Sequence, residues 1–151
     1  MLDWIEATRL ARAVAASASI TAWLSACHAV GFALLTGSAL VANLRGLDAV
    51  LDRYAVTDVA RPANRALVSG LAASTVTGLP LFAARATEAA ANGFFVAKML
   101  LLGAACAVQF AVARRFAGDT SAPSSRRLVS AVALSLWLGL ALAALAFVLL
   151  E

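Results

Sequence analysis

ACHAVGFALLTGSALVANLRG, residues 26–46, is the stretch whose reading decides the fold. It is an apolar run that ends on an arginine. A helix needs about 20 mostly apolar residues to cross about 30 Å of hydrocarbon. Extended back to Ile20, the run reaches that length at Leu44. A bilayer offers the backbone no water partners, so the crossing must be helical. Residues 66–86, 94–113 and 128–150 meet the same test. The expected fold is all-α, a four-helix transmembrane bundle forming one integral membrane domain over residues 1–151.

Composition agrees. The chain is 63% hydrophobic and 13% charged, with a mean hydropathy of +0.90. Soluble domains carry about 25% charged residues, so this surface must face lipid. The net charge of +4 comes from arginines clustered at segment ends. It is a topology signal and does not point to nucleic acid. Cys27 and Cys106 lie in apolar runs without a CxxC or CxxCH pattern and read as small buried hydrophobes. Asp3 and Glu6 stand where a signal peptide would carry cations, so residues 2–16 read instead as an amphipathic interfacial helix. Its apolar side is Leu2, Ile5, Leu10 and Val14, and Asp3 is its expected cap. In the loop after the first crossing, Leu47, Val50, Leu51 and Tyr54 have helical spacing and are expected to rest partly on the membrane. Residues 117–125 read as a polar turn.

Orientation follows from the cations. Arg45, Arg53, Arg61 and Arg65 follow crossing one, and Arg114, Arg115, Arg126 and Arg127 flank the turn after crossing three. Arg9, Arg12, Arg85 and Lys98 lie at the other end. The positive-inside rule places the eight in the cytoplasm. The expectation is a multi-pass protein of the bacterial inner membrane with both termini periplasmic.

Small residues recur four apart in every crossing: Ser25, Ala29, Ala33 and Gly37; Gly70, Ser74 and Gly78; Gly103, Ala107 and Ala111; Ser135, Gly139 and Ala143. Such stripes let helices approach closely in lipid, although an alanine-rich chain also makes them by chance.

Polar residues collect in the outer half. His28, the single histidine, lies about 12 Å in from the outer end of crossing one. Thr77 and Pro80 soften crossing two, and Pro80 removes the donor for the Val76 carbonyl. Lys98 and Met99 enter crossing three, and Arg85 lies beyond. An ionisable group within a membrane is a functional candidate. His28 suits three roles: a hydrogen bond to a neighbouring helix, a metal ligand to the iron of haem b, or quinone or proton handling. In the haem reading Met99 is a candidate for the second axial position, and Lys98 and Arg85 pair with propionates. In the bland readings Lys98 snorkels and Met99 packs. Arg45 reads as a partner of the carbonyls ending crossing one, or of lipid phosphate. No P-loop, Ser/His/Asp set or paired carboxylates can be assembled in the bilayer, so binding fits better than catalysis by this chain alone.

The segments HAVGFALLTGSALVANLRGL, TGLPLFAARATEAAANGFFVAKMLLL and the later SLW resemble a bacterial family of small four-helix membrane proteins of unknown function. The residues that carry the resemblance are His28, Gly37, Leu44 to Leu47, Thr77 to Phe82, Asn92, Phe95 and Lys98, within residues 23–137. Asn43 stands where the pattern expects an acid. The layout is more loosely similar to the CopD membrane domain and to HemJ-type protoporphyrinogen oxidase, which have a first-helix histidine and a later lysine. This chain lacks their further histidines. The looser resemblance implies haem.

The leading expectation is therefore a small redox or anchor subunit binding haem b or a quinone near His28, with Lys98 as charge partner. The rivals are a structural or assembly subunit without a cofactor, and a small carrier. Expected partners are membrane lipids and either other membrane subunits or further copies in a homo-oligomer.

Overall fold

The structure is a computed structural model that describes residues 2–117 and 123–149, with side chains left out at 115–117 and 147–149. The described residues form seven helices: α1 (Asp3–Glu6), α2 (Arg9–Ala16), α3 (Ala18–Gly46), α4 (Val56–Ala84), α5 (Ala86–Ala91), α6 (Gly93–Ala117) and α7 (Pro123–Leu149). Four of them, α3, α4, α6 and α7, are long and apolar enough to cross a membrane. The start of α7 lies at the end where α3 passes into α4, and that end is rich in arginine. The short helices α1, α2 and α5 lie at the opposite end.

Several boundaries differ from expectation. The N-terminal helix is two pieces, because Thr8 turns extended and its hydroxyl accepts from the Ala11 amide at 3.2 Å, starting α2 afresh. Asp3 does not cap: Leu2 holds that position without a side-chain bond. Ala11 and Val14 are the buried residues of α2, whereas Leu10 is exposed. That helix packs mainly on α4.

Helix α4 begins ten residues before 66 and takes in both prolines. Each proline costs one backbone hydrogen bond, at Asp58 and at Val76, and its fixed φ suits a helix otherwise. Helix α7 begins at Pro123, a residue suited to a first helical position. Residues 118–122 of the polar turn, and residue 150 of crossing four, lie outside the described residues. The segment after α3 is not helical: Asp48 and Leu51 take positive φ values of 60° and 55°.

Helices α3 and α4 form one close antiparallel pair and α6 and α7 another. In the first pair a Cβ on Gly70 would lie 2.5 Å from the Leu35 amide nitrogen and 2.8 Å from the Gly31 carbonyl. Only glycine permits that approach. The pairs join through Leu35, Ala39, Leu67, Ala105, Trp137 and Leu140.

Of the four small-residue stripes, that of α4 is packed along its length and that of α7 in part, where Gly139 faces Leu101. Gly70 and Ser74 are buried and Gly78 lies under His28. On α3, Ser25, Ala29 and Ala33 are exposed, and a Cβ on Gly37 would meet nothing within 4 Å. On α6, Gly103, Ala107 and Ala111 are exposed. On α7, Ser135 is exposed. Helix α3 meets α4 through Gly31 and Leu35, on another face from the expected stripe.

Candidate functional site

Helix α3 carries His28 against the turn of α4 that precedes Pro80. The imidazole Nδ1 lies 2.9 Å from the Ser74 carbonyl oxygen. A carbonyl only accepts, so Nδ1 carries the proton. The Thr77 hydroxyl donates to the Ala73 carbonyl at 2.7 Å, and its oxygen lies 3.3 Å from the same Nδ1 as a weaker acceptor. Gly78 makes room for the ring: a Cβ there would come within 2.8 Å of Cε1 and 3.0 Å of Nδ1. With Nδ1 protonated, neutral imidazole presents a lone pair at Nε2. Nε2 has no hydrogen-bond partner among the described residues. The ring is half-buried.

Thr77 is thus brought to His28, and the Lys98 ammonium lies within electrostatic reach of it. Lys98 is half-buried, 5.4 Å above the ring of Phe95, which stacks on Phe82. Met99 and Arg85 are exposed, and neither is hydrogen-bonded to the histidine. Among the described residues no three His, Cys, Asp or Glu side chains converge as metal ligands. A metal at His28 would take its remaining ligands from something other than such a cluster, as porphyrin iron does.

Two further polar groups lie nearer the arginine-rich end. Gln109 of α6 is buried where all four crossings meet. Its Oε1 accepts from Asn43 Nδ2 of α3 at 2.8 Å and from Trp137 Nε1 of α7 at 3.1 Å. Its Nε2 donates to Asn64 Oδ1 of α4 at 3.3 Å. The indole only donates, which sets the orientation of Gln109 and in turn that of Asn43. Gln109 was legible as a lone amide in an apolar run, whereas Asn64 stands beside Arg65 in a loop-like segment. A search restricted to ionisable groups passes over them.

The second group centres on Asp48. Arg45 Nη1, Arg126 Nη2 and Arg127 Nη2 reach its carboxylate at 2.7, 2.6 and 3.1 Å. Hydrogen bonds from Arg45, and then from Arg127 and Arg126, lower its pKa from 3.8 to about 2. Arg45 is buried and donates to the Tyr54 carbonyl at 3.0 and 2.8 Å. Its expected partners, the carbonyls ending α3 or a lipid phosphate, are replaced by the folded loop.

Residues 1–148 match the model of a family of unknown function, DUF6644, and the chain belongs to that family. The match covers both the His28 group and the Gln109 group. No curated protein and no solved structure matches the chain, so the looser likeness to CopD-type and HemJ-type bundles is not shown.

Proposed function

We propose that this DUF6644 member is a small redox or anchor subunit of the bacterial inner membrane that binds haem b or a quinone through His28. One observation supports the reading most: the ring is held by Nδ1–H on the Ser74 carbonyl, with Nε2 uncommitted in an apolar bundle. Histidines that bind metals commonly donate their other nitrogen in this way, which fixes the tautomer and the ring orientation. A haem iron would take Nε2 as an axial ligand, with Lys98 as partner for a propionate. Reduced quinone would donate a hydroxyl hydrogen to the same lone pair. In the proposed orientation the arginine-rich end is cytoplasmic.

The test is the absorption spectrum of gently purified protein and its lipid extract. A Soret band that His28→Ala removes and added imidazole restores supports haem. Lys98→Met should weaken that band without abolishing it. A colourless protein whose quinone content falls in His28→Ala supports the quinone. Wild-type protein with neither haem nor quinone overturns the reading.

A second reading, a structural or assembly subunit, is favoured by the small-residue stripe left exposed on α6 at Gly103, Ala107 and Ala111. Such a surface suits close contact with another membrane helix. It predicts a colourless protein whose association with a fixed partner, and not its own folding, is lost in Gly103→Leu.

A further inference from the structure

The loop from α3 to α4 holds Asp48 and Leu51 in a left-handed conformation that residues with a side chain seldom adopt. Such a conformation persists where its surroundings over-determine it. Here Arg45 ties the Tyr54 carbonyl and Asp48 together from within α3. Arg126, at the start of α7, holds Asp48 and the Gly46 carbonyl from the other side. The result is that Leu51 and Tyr54 form the rim of a groove between α3 and α4.

The groove has a volume of about 750 Å³ and opens on the outer surface of the bundle. Ala33, Gly37, Ala63 and Ala66 line it, so small residues leave room there. A Cβ on Gly37 would meet nothing within 4 Å. The groove thus takes up Ala33 and Gly37, the two residues of the α3 stripe nearest the loop. The groove runs about 12 Å along the helices, from Asp58 to Ala66 on α4.

Its polar groups lie toward the loop. Tyr54, just before α4, and Asp58, in its first turn, line the groove, as does Ser38 two turns before the end of α3. None of the three side chains has a hydrogen-bond partner among the described residues. Arg61, three residues after Asp58 on the same helix, is exposed. Arg61 is not among the lining residues, so the loop end of the groove offers an acceptor carboxylate above an apolar channel. An anionic headgroup would meet the carboxylate first. A headgroup that carries an ammonium with N–H donors matches it in sign and in hydrogen bonding.

We infer that the α3–α4 groove binds one phospholipid with a primary-ammonium headgroup. One acyl chain lies along Ala33, Gly37, Ala63 and Ala66. The ammonium donates to Asp58 and to the Tyr54 hydroxyl oxygen. The site is separate from His28 and does not rest on the cofactor reading.

The test uses delipidated full-length protein in detergent, titrated with phosphatidylethanolamine, phosphatidylcholine or phosphatidylglycerol and read by native mass spectrometry. The expected result is one ethanolamine lipid per chain, bound at least tenfold more tightly than the other two. The choline lipid has the same charge but no N–H donors, so it isolates hydrogen bonding to Asp58. Asp58→Asn should erase the preference for ethanolamine over choline. Gly37→Leu should abolish retention and leave the melting temperature of the lipid-free protein unchanged. Should that variant fail to assemble, Ala33→Leu fills the same channel. Equal retention of the three lipids overturns the inference, as does retention unaffected by Asp58→Asn and by the channel-filling variant. A homodimer that Gly37→Leu dissociates also overturns it, because the groove is then covered by a second copy.

Discussion

His28 and Gln109 are both polar side chains inside an apolar bundle, yet their surroundings differ in kind. Gln109 is buried, and its amide bonds to three other crossings. His28 is half-buried, bonds to one neighbouring helix, and leaves Nε2 uncommitted. A buried group bonded to three other helices holds them in register and has little left to offer a ligand. A group oriented through one atom and open at another is suited to binding. Polarity in a membrane segment is therefore a weak guide to function until its hydrogen bonds are accounted for.

The comparison can be broken most decisively at Gly70, on α4 between the two groups. Gly70→Ala places a Cβ against the backbone of α3, which cannot yield as a side chain can. The expected loss is about 4 kcal/mol or more, in the range reserved for severe packing errors. A detergent unfolding titration should show both groups lost together. Survival of the Gln109 group alone would mean that α3 and α4 do not share one seam.

Gln109→Leu comes next. It leaves Asn43, Asn64 and the Trp137 indole without their common partner, at a cost of about 3 kcal/mol counted at about 1 kcal/mol per bond. His28→Ala should cost about 1 kcal/mol in ligand-free protein, the scale of a single interhelical bond. Equal destabilisation by the two would erase the distinction between a structural and an available group.

The Asp48 group sharpens the comparison through pH. The carboxylate pKa is lowered from 3.8 to about 2 in the folded chain. The stability it contributes is fully present above about pH 4 and lost as pH falls through about 2. Unfolding titrations between pH 6 and 2 should show Asp48→Asn less stable at the upper end, with a shallower fall. Identical pH profiles for the two proteins would show that the three arginines do not hold the loop through this carboxylate.

The smallest effect is expected at Gly103, which faces outward with no neighbour within 4 Å of a built Cβ. Gly103→Leu should change the stability of the isolated chain by less than about 0.5 kcal/mol. A large loss would return the α6 stripe to the interior of the bundle.

Much of the His28 group could be read in advance, because one imidazole in an apolar run is conspicuous and Thr77 and Lys98 share its depth. Its orientation could not, since nothing in the order of residues says that Nδ1 meets the Ser74 carbonyl. Arg45 shows the same limit. Its place at the end of a crossing is plain in the sequence, but its partners, Tyr54 and Asp48, depend on a loop in an uncommon backbone conformation. The stripes were the least legible feature, because small residues line the α3–α4 seam at Gly31 and Gly70 and an open groove at Ala33 and Gly37 alike.

By itself the sequence determined that four helices cross a membrane and that arginines gather at one end. Both follow from run length and composition, which are local quantities set by the thickness and dielectric of a bilayer. Which side of each helix turns inward was decided by tertiary structure alone. Lipid and bundle interior are nearly equal in apolarity, so no hydrophobic period marks the buried face. Glycine at the point of closest backbone approach, and the Asn43 and Asn64 amides and the Trp137 indole converging on Gln109 from three other helices, supply that information. Neither can be recognised until the helices stand side by side.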